Sequence, residues 1–286
     1  MADISTFTGG IAQTNGYLVS LPGGTILVDA PEGVAAWLKM RGAKVDVLLL
    51  THQHFDHVLD AAAVKVQQGC QVFAWSTLSK ELTLEALFGA SRGSAYAVPE
   101  FVVDVVLAGQ TELAILDAKF ELMHVPGHSP DSLCFYLEEA KWLFGGDVLF
   151  LDGVGRTDFP RGSFEQLATG IETKLWSLPA ETIVWPGHGD KTTIGREKLE
   201  NPFIGLADRF FQRQRGDDAQ PARRVGDSSW AVQVGSWLGG EGAGPEDRQD
   251  ARGAGQGCRG PRVHRRHRAR FPRPDRNRLR EGQQRR

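Results

Sequence analysis

The sequence predicts an α/β fold in which helices cover β-sheets. Short apolar or β-branched runs alternate with amphipathic stretches up to about residue 205, and this order is typical of layered α/β proteins. The chain has 286 residues, of which 41% are hydrophobic and 24% are charged. That length and composition are those of a globular protein that can bury a sizeable core.

The predicted elements begin with a β-hairpin around the turn sequence Pro22-Gly23-Gly24. Gly42 is a predicted helix stop, and the apolar run at 45–50 is predicted to be a fully buried strand. In chain order we expect strands at 17–21 and 25–30, a helix at 32–42, a strand at 45–50, a helix at 58–69, a strand at 71–75, a helix at 77–89, strands at 111–116, 119–125, 132–137 and 141–146, a helix at 163–178, a strand at 182–187 and a helix at 194–200.

The composition changes at Asp208. Up to this residue 14 Lys and Arg stand against 26 Asp and Glu, a net charge of −12, whereas the rest has 19 Arg against 9 acidic residues, a net charge of +10. We therefore predict a domain over 1–208 and an Arg/Gly-rich tail over 209–286. Apart from 228–240, the tail has no helical or strand periodicity. We expect it to be irregular or disordered, because it cannot bury enough apolar surface to offset the entropy of ordering.

Two other hypotheses apply to the tail. Arginine clusters such as RVHRRHRAR could bind nucleic acid or another acidic surface, although interleaved aromatic residues suited to base stacking are lacking. Arginine without lysine, beside many Gly, Pro and Ala residues, is also typical of out-of-frame translation of GC-rich DNA. Resequencing the gene around the codon for Asp208 tests that second hypothesis, and an intact reading frame would contradict it.

Targeting and membrane signals are not visible in the sequence. The N-terminus has no basic stretch followed by an apolar segment, and no apolar run approaches the roughly 18 residues that span a bilayer. The cysteines, Cys70, Cys134 and Cys258, are odd in number and far apart, as expected of reduced thiols. These features predict a cytoplasmic protein.

The stretch THQHFDH, 51–57, concentrates metal-binding side chains directly after the predicted buried strand. His52 and His54 alternate in extended chain and can face the same way, whereas Asp56 and His57 begin the next helix and point to a neighbouring place. One loop can therefore supply ligands to two adjacent metal ions. Four titratable groups packed this tightly would repel one another or stay unsatisfied without a cation.

Further ligands are predicted downstream, where three more apolar strands end beside glycine. These residues are His128, Asp147 and His188. Glycine permits tight turns and a close approach of the backbone to a metal. Imidazole and carboxylate ligands together suit zinc, iron or manganese. His124, the remaining histidine before the tail, is interpreted as a packing residue.

The motifs T-H-x-H-x-D-H, P-G-H-S, G-G-D and P-G-H-G, in this order, resemble those of the metallo-β-lactamase superfamily over about residues 4–204. The resemblance implies a four-layer αβ/βα sandwich with metals at the edge of two facing sheets. It also implies that one metal is bound by His52, His54 and His128, that the other is bound by Asp56, His57 and His188, and that Asp147 bridges them.

The segments 153–162 and 187–203 are similar to those of short bacterial type II glyoxalases. This similarity implies a loop near the site on which Arg156 and Asp158 either contact substrate or brace the loop. Two departures concern the substrate. The tail lacks the pattern of the helical domain that binds glutathione in eukaryotic glyoxalase II, and Asp131 stands where relatives often have glycine.

These resemblances imply a binuclear metal-dependent hydrolase of hydroxyacylglutathione-type thioesters. A hydroxide held between two divalent metals and oriented by Asp56 would attack the carbonyl carbon. A thioester suits this chemistry because a thiolate leaves without a strong general acid. The expected cofactors are two divalent ions, zinc first, with iron and manganese as alternatives. The expected partner is a small-molecule acyl thioester.

Four other functions compete with this one. A persulfide dioxygenase also shares the G-R-T-D-F loop and would use a single iron on His52 or His54, His128 and Asp147, but retention of 186–189 favours two metals. A lactonase or β-lactamase-like hydrolase is a third possibility. A non-catalytic binding module would predict lost ligands, whereas the ligand pattern is complete. A nuclease would need a basic face, whereas the domain up to Asp208 carries a charge of −12.

Overall fold

The structure is a computed structural model that describes residues 3–92 and 96–206. Its strands are β1 (Asp3–Gly9), β2 (Thr14–Leu21), β3 (Gly24–Val28), β4 (Val47–Leu49), β5 (Gln71–Ala74), β6 (Val105–Val106), β7 (Glu112–Ile115), β8 (Ala118–His124), β9 (Leu133–Leu137), β10 (Trp142–Gly146), β11 (Leu149–Phe150), β12 (Gly153–Val154), β13 (Ile183–Pro186) and β14 (Thr192–Thr193). Its helices are α1 (Val34–Arg41), α2 (Phe55–Val58), α3 (Ala61–Gln68), α4 (Lys80–Thr83), α5 (Glu85–Arg92), α6 (Phe164–Lys174) and α7 (Ile194–Glu200).

Two six-stranded sheets form the framework. The first has the order β1-β2-β3-β4-β5-β6 and the second the order β14-β13-β10-β9-β8-β7. In the first sheet β3, β4, β5 and β6 run parallel. In the second, β10 runs parallel to β13, and β9 runs antiparallel to both β10 and β8. The strands that precede the predicted ligands therefore end at one edge of each sheet.

Three apolar clusters separate four layers. The inner faces of the two sheets meet in one cluster, which includes Ile26 and Phe135. The outer face of the first sheet packs on α1 and α3, and Leu38 lies in that cluster. The outer face of the second sheet packs on α6 and α7, around residues such as Ile171. Because side chains alternate between the faces of a strand, both faces of each sheet are covered by apolar contacts. This confirms the predicted four-layer αβ/βα fold.

Several element boundaries differ from the sequence prediction. The helix expected at 58–69 is two helices, α2 and α3, and the helix expected at 77–89 is broken at Leu84, whose φ of 55° is left-handed. The strand β1, the hairpin β11–β12 and the short strands β6 and β14 were not predicted. Most of these elements are only two residues long, and β1 is rich in polar residues, so local apolar patterning gives little signal for them.

Some predictions fall outside the described residues. They are the domain boundary at Asp208, the tail 209–286 with its element at 228–240, and Cys258. The described cysteines, Cys70 and Cys134, are buried and free. Within the described part of the chain, no helix has both the length and the apolar character needed to cross a bilayer.

Candidate metal centre

Four chain segments bring the predicted ligands to one edge of the sandwich. The loop after β4 carries His52 and His54, and α2 follows it with Asp56 and His57. The other three residues, His128, Asp147 and His188, follow β8, β10 and β13. These strands run in the same direction within their sheets, so their carboxyl ends share an edge.

The seven side chains converge. Ligand atoms of His52, His54 and His128, here called the first triad, lie within 4.8 Å of one another. The same holds for Asp56, His57 and His188, here called the second triad. Asp147 lies between them, because its Oδ2 is 3.3 Å from Nε2 of both His128 and His188 and its Oδ1 is 3.3 Å from Nε2 of His57.

The chemistry of the donor set fits divalent cations. Among the described residues, Nε2 of His52 and Nε2 of His128 are buried and have no hydrogen-bond partner. A buried polar atom without a partner costs about 1–3 kcal/mol. A cation at the point where these atoms meet would remove that cost. Imidazole and carboxylate ligands suit zinc, iron and manganese.

A sequence model described as the metallo-beta-lactamase superfamily matches residues 9–188, which includes all seven of these side chains. The chain belongs to the metallo-beta-lactamase superfamily. It is therefore a metal-dependent hydrolase by family, and its site is of the kind that binds one or two metal ions.

Relatives within the superfamily extend this comparison. The chain is 42% identical over 181 residues to a hydroxyacylglutathione hydrolase, GloC, of Haemophilus influenzae. This alignment covers 61% of this chain and 84% of that protein. The chain is 33% identical to the solved structure of the BLEG-1 B3 metallo-beta-lactamase, with a TM-score of 0.62. The match covers 71% of this chain and 99% of that one. TTHA1623 in a di-iron-bound form is 34% identical, with a TM-score of 0.60 and coverages of 70% and 100%.

In four histidines, a hydrogen bond at Nδ1 orients Nε2 toward the centre of the metal site. His128 and His188 donate from Nδ1 to the carbonyls of Arg156 (2.8 Å) and Ala12 (3.1 Å). His57 Nδ1 lies 2.9 Å from Asp29 Oδ2. His52 Nδ1 lies 3.1 Å from the Thr51 hydroxyl. Since that hydroxyl donates its own proton to Asp29, it accepts from His52. Fixing Nδ1 in this way orients Nε2 as a metal ligand.

Asp29 is a site residue that the sequence reasoning missed. It follows β3, has a φ of 59°, and is 2% exposed. Its carboxylate accepts hydrogen bonds from the Thr51 backbone N–H and hydroxyl as well as facing His57. A signal was available, because Asp29 is a polar residue at the end of an apolar strand parallel to β4. Asp29 shares with His128, Asp147 and His188 its place after an apolar strand, but it lacks the neighbouring glycine that also marked those three.

Strand β2 holds the loop that carries His188, and this was also missed. Asn15 Nδ2 donates to the carbonyls of Pro186 (3.1 Å) and Gly189 (3.0 Å), and the Tyr17 hydroxyl donates to Pro186 O at 2.5 Å. Thr14 Oγ1 donates to Asp56 Oδ2 at 2.7 Å. These contacts join residues up to 174 positions apart, so no local pattern in the sequence could have revealed them.

Burial and charge divide the titratable groups of the site. Burial lowers the pKa of His52, His54 and His128 and keeps these rings neutral. Burial also opposes the charged form of His57 and His188, but Asp56 and Asp147 outweigh it and raise the pKa of His57 well above its usual range and that of His188 to about 10.

The pKa values of Asp56 and Asp147 shift in the opposite direction. Burial tends to raise the pKa of Asp56 and Asp147, but the neighbouring charges of His57 and His188 prevail and lower both pKa values. In the metal-free protein, protonated His57 and His188 therefore balance the two buried carboxylates. Divalent cations would take the place of these protons.

Arg156 and Asp158 lie beside the site on the loop that follows β12. Arg156 donates from Nε and Nη2 to the two carboxylate oxygens of Asp158, both at 2.6 Å. Its guanidinium lies 4.3 Å from the ring centroid of Phe159, and that ring is 5.5 Å from His54 and 6.1 Å from His128. This ion pair is the contact that the bracing role, one of the two expected roles of Arg156, requires.

A cleft of about 260 Å³ opens beside His54. Its lining includes the apolar residues Leu84 and Leu87 and the charged residues Lys80, Glu81 and Arg161. The cleft offers space for part of a substrate next to the first triad. His124 lies outside it, stacked on Trp75 at 3.8 Å and bonded from Nε2 to Pro130 O.

Proposed function

We propose that this protein hydrolyses acyl thioesters of the hydroxyacylglutathione type with two bound divalent metal ions. The observation that carries the proposal is the convergence of two complete triads on either side of Asp147. The similarity to hydroxyacylglutathione hydrolase GloC supports the thioester as substrate class.

The two triads are proposed to bind one metal each, and Asp147 is proposed to contact both. Zinc is the first candidate, and iron and manganese are alternatives that the same ligands accept. The di-iron-bound form of TTHA1623 supports keeping iron among them. Metal ions in such a site lower the pKa of a bound water and polarise a carbonyl oxygen.

Asp56 is the proposed catalytic carboxylate. Its Oδ2 accepts a hydrogen bond from Thr14 and lies 3.4 Å from Nε2 of His188 and 3.6 Å from Nε2 of His57. These contacts fix one oxygen and leave Asp56 able to orient the attacking water through the other. Since a thiolate departs without a strong general acid, a thioester makes the smallest demand on this set of side chains.

Substrate contacts are proposed for Arg156, Asp158 and the cleft beside His54. Arg156 is partly exposed, at 27% of its side chain, so a substrate carboxylate could reach the guanidinium by displacing Asp158. The apolar walls at Leu84 and Leu87 suit the carbon chain of an acyl or thiol group.

A cytoplasmic location forms part of the same proposal. Cys70 and Cys134 are buried free thiols, and burial raises the pKa of the Cys134 thiol to about 12, so both are inert in a reducing compartment.

The test is an assay of the purified chain with S-lactoylglutathione, a lactone and a β-lactam, together with a measurement of metal per chain. We expect about two metals and the fastest turnover with the thioester. His188→Ala or Asp147→Ala should lose metal and most hydrolysis, whereas Arg156→Ala should chiefly raise KM. Arg41→Ala, a change at an exposed arginine at the end of α1, serves as the control. Unimpaired turnover in Asp147→Ala would refute the bridging role.

β-Lactam hydrolysis is the second candidate, because the BLEG-1 B3 metallo-beta-lactamase is 33% identical and similar over 71% of this chain. Faster turnover of the β-lactam than of the thioester would favour it. A persulfide dioxygenase would instead bind one iron per chain and consume oxygen with glutathione persulfide. Oxygen uptake without thioester turnover would replace hydrolysis by that activity.

A further inference from the structure

Glu197 is a charged side chain of α7 that is fully buried, with an exposed fraction of 0%. Its Oε1 accepts hydrogen bonds from Thr192 Oγ1 and Arg196 Nη1, both at 2.6 Å. Its Oε2 accepts from the backbone N–H of Asp152 at 3.1 Å and from Asn201 Nδ2 at 2.8 Å. Both oxygens therefore act as acceptors twice. A carboxylate satisfies all four donors, whereas an amide of the same size has one acceptor oxygen and would turn its own N–H groups toward donors.

The group that Glu197 holds is the tip of the hairpin β11–β12. Asp152 lies in that turn with a left-handed φ of 57°, which is unfavourable for a residue with a side chain. Arg196 Nη2 also donates to Asp152 Oδ1 at 2.7 Å, and Asn201 Nδ2 also donates to Gly153 O at 3.1 Å. Helix α7 and Asn201, the residue that follows it, thus hold the turn by three hydrogen bonds.

The two ends of the same hairpin lie in the metal centre. Asp147 stands two residues before β11, and Arg156 stands two residues after β12. The Arg156 carbonyl accepts the hydrogen bond from Nδ1 of His128 at 2.8 Å. Between the ends, Gly155 donates to Val148 O at 3.3 Å.

At Gly155 the hairpin is in close contact with residues of the metal centre. A Cβ on Gly155 would lie 1.9 Å from the Asp147 carbonyl oxygen and 3.0 Å from Cβ of His128. A shift of the hairpin therefore moves Asp147 directly, and it moves His128 through the Arg156 carbonyl. Mutation of the hydrogen-bond partners of metal ligands typically costs about 10–100-fold in metal affinity, and a displaced partner acts in the same direction.

We propose that Glu197 is a positioning residue for the metal centre: by fixing the tip of β11–β12, it holds Asp147 and the Nδ1 partner of His128 in the geometry that binds metal. This role rests on the metal site of the proposed function but not on the choice of substrate. Glu197 contacts neither substrate nor metal, and its effect passes through the hairpin.

The experiment measures Zn²⁺ affinity of the full-length, metal-free protein by competition with a chromophoric chelator. Glu197→Ala should weaken binding about tenfold, and Glu197→Gln should weaken it less, because one acceptor oxygen remains. Glu165→Gln is the matched control, since it makes the same chemical change at an exposed side chain of another helix, α6, away from the hairpin. It should leave the affinity unchanged.

A second control separates positioning from loss of stability. Leu38→Ala removes buried apolar contacts from α1, in a different cluster, and should lower the melting temperature without changing Zn²⁺ affinity. Equal weakening by Leu38→Ala and Glu197→Ala, or wild-type affinity in both Glu197 variants, would overturn the role of Glu197. If Glu197→Ala does not fold, the glutamine variant decides by the same criterion. If the wild type binds Zn²⁺ but turns over no thioester, the proposed function fails while the role of Glu197 is still decided.

Discussion

At the scale of single residues, a glycine is required at one position of the site, and a carboxyl is buried at another position. Gly187 lies in the loop between β13 and His188. A Cβ at this position would lie 2.1 Å from Asp147 Oδ1 and 2.7 Å from Cε1 of His57. Both distances are well below contact, and both neighbouring groups are backed by rigid structure, so glycine is needed for the two triads to approach each other.

We therefore expect Gly187→Ala to lose most of its bound metal, measured as metal per chain after purification. Gly189→Ala provides the matched control two residues away. Gly189 has a left-handed φ of 71°, but nothing lies within 4 Å of an added Cβ, so that change should cost about 1–2 kcal/mol of stability and keep the metal. Full metal content in Gly187→Ala would contradict the close approach seen here.

Asp131 gives a pH-dependent expectation. It is 2% exposed, its Oδ1 accepts from Ser129 at 2.5 Å, and its Oδ2 has no hydrogen-bond partner among the described residues. Burial raises its pKa from 3.8 to about 6. Between these pH values the folded chain holds a proton that the unfolded chain releases, so the free energy of unfolding falls as the pH rises through this window.

Asp131→Asn should remove this loss. Near pH 4 the metal-free variant should have the same free energy of unfolding as the wild type. As the pH rises, the variant should become more stable than the wild type, by roughly 2–3 kcal/mol at pH 7, at 1.36 kcal/mol per pKa unit. Urea unfolding at several pH values, in the presence of a chelator, measures the difference. Glu121→Gln, a change at an exposed carboxyl, should keep the wild-type profile. A difference between Asp131→Asn and wild type that does not grow with pH would disprove the buried-charge explanation.

At the scale of elements, strand β2 acts as a clamp on the loop after β13. Asn15 contributes most, because its side-chain amide donates to two carbonyls of that loop, Pro186 O and Gly189 O, which lie on either side of His188. Each such bond contributes about 0.5–1.5 kcal/mol, and leaving a buried carbonyl without a donor costs more.

Asn15→Ala should therefore loosen the second triad and spare the first, whose histidines follow β4 and β8. In a stepwise Zn²⁺ titration we expect one of the two binding steps to lose about tenfold in affinity while the other stays unchanged. Gln13→Ala, in the preceding turn, alters an exposed side chain that bonds to Gly10 O and should change neither step. Equal loss in both steps would mean that the clamp acts on the whole site.

The elements also show why the sequence predicted the ligands better than their supports. His128, Asp147 and His188 each follow an apolar strand beside glycine, so a local pattern marks them. Asn15 acts on carbonyls 171 and 174 positions away in the chain, and Glu197 acts on Asp152, which is 45 positions away. Both roles therefore depend on tertiary packing. The hairpin β11–β12, only two residues per strand, is likewise defined by its partners rather than by its own periodicity.

At the scale of the whole molecule, charge separates the chain into two parts. The part up to Asp208 carries a net charge of −12 and the remainder +10. Binding of the second part to nucleic acid would be electrostatic and would weaken steeply with salt. A filter-binding titration with RNA at two salt concentrations tests this, with a chain ending at Asp208 as the control. Binding that persists in the shortened chain would assign it to the catalytic part.

A chain ending at Asp208 should retain the metal centre and the activity. All seven predicted ligands and the three apolar clusters lie within residues up to Ile204, and TTHA1623 aligns over 100% of its length with 70% of this chain. We expect metal per chain, melting temperature and thioester turnover close to those of the full chain. A chain ending at Leu199 is the informative control, because it lacks Asn201, which donates to both Glu197 and Gly153 O, and the buried Ile204. This shorter chain should lose stability and metal together. Loss of metal already on ending the chain at Asp208 would show that residues beyond it belong to the functional domain.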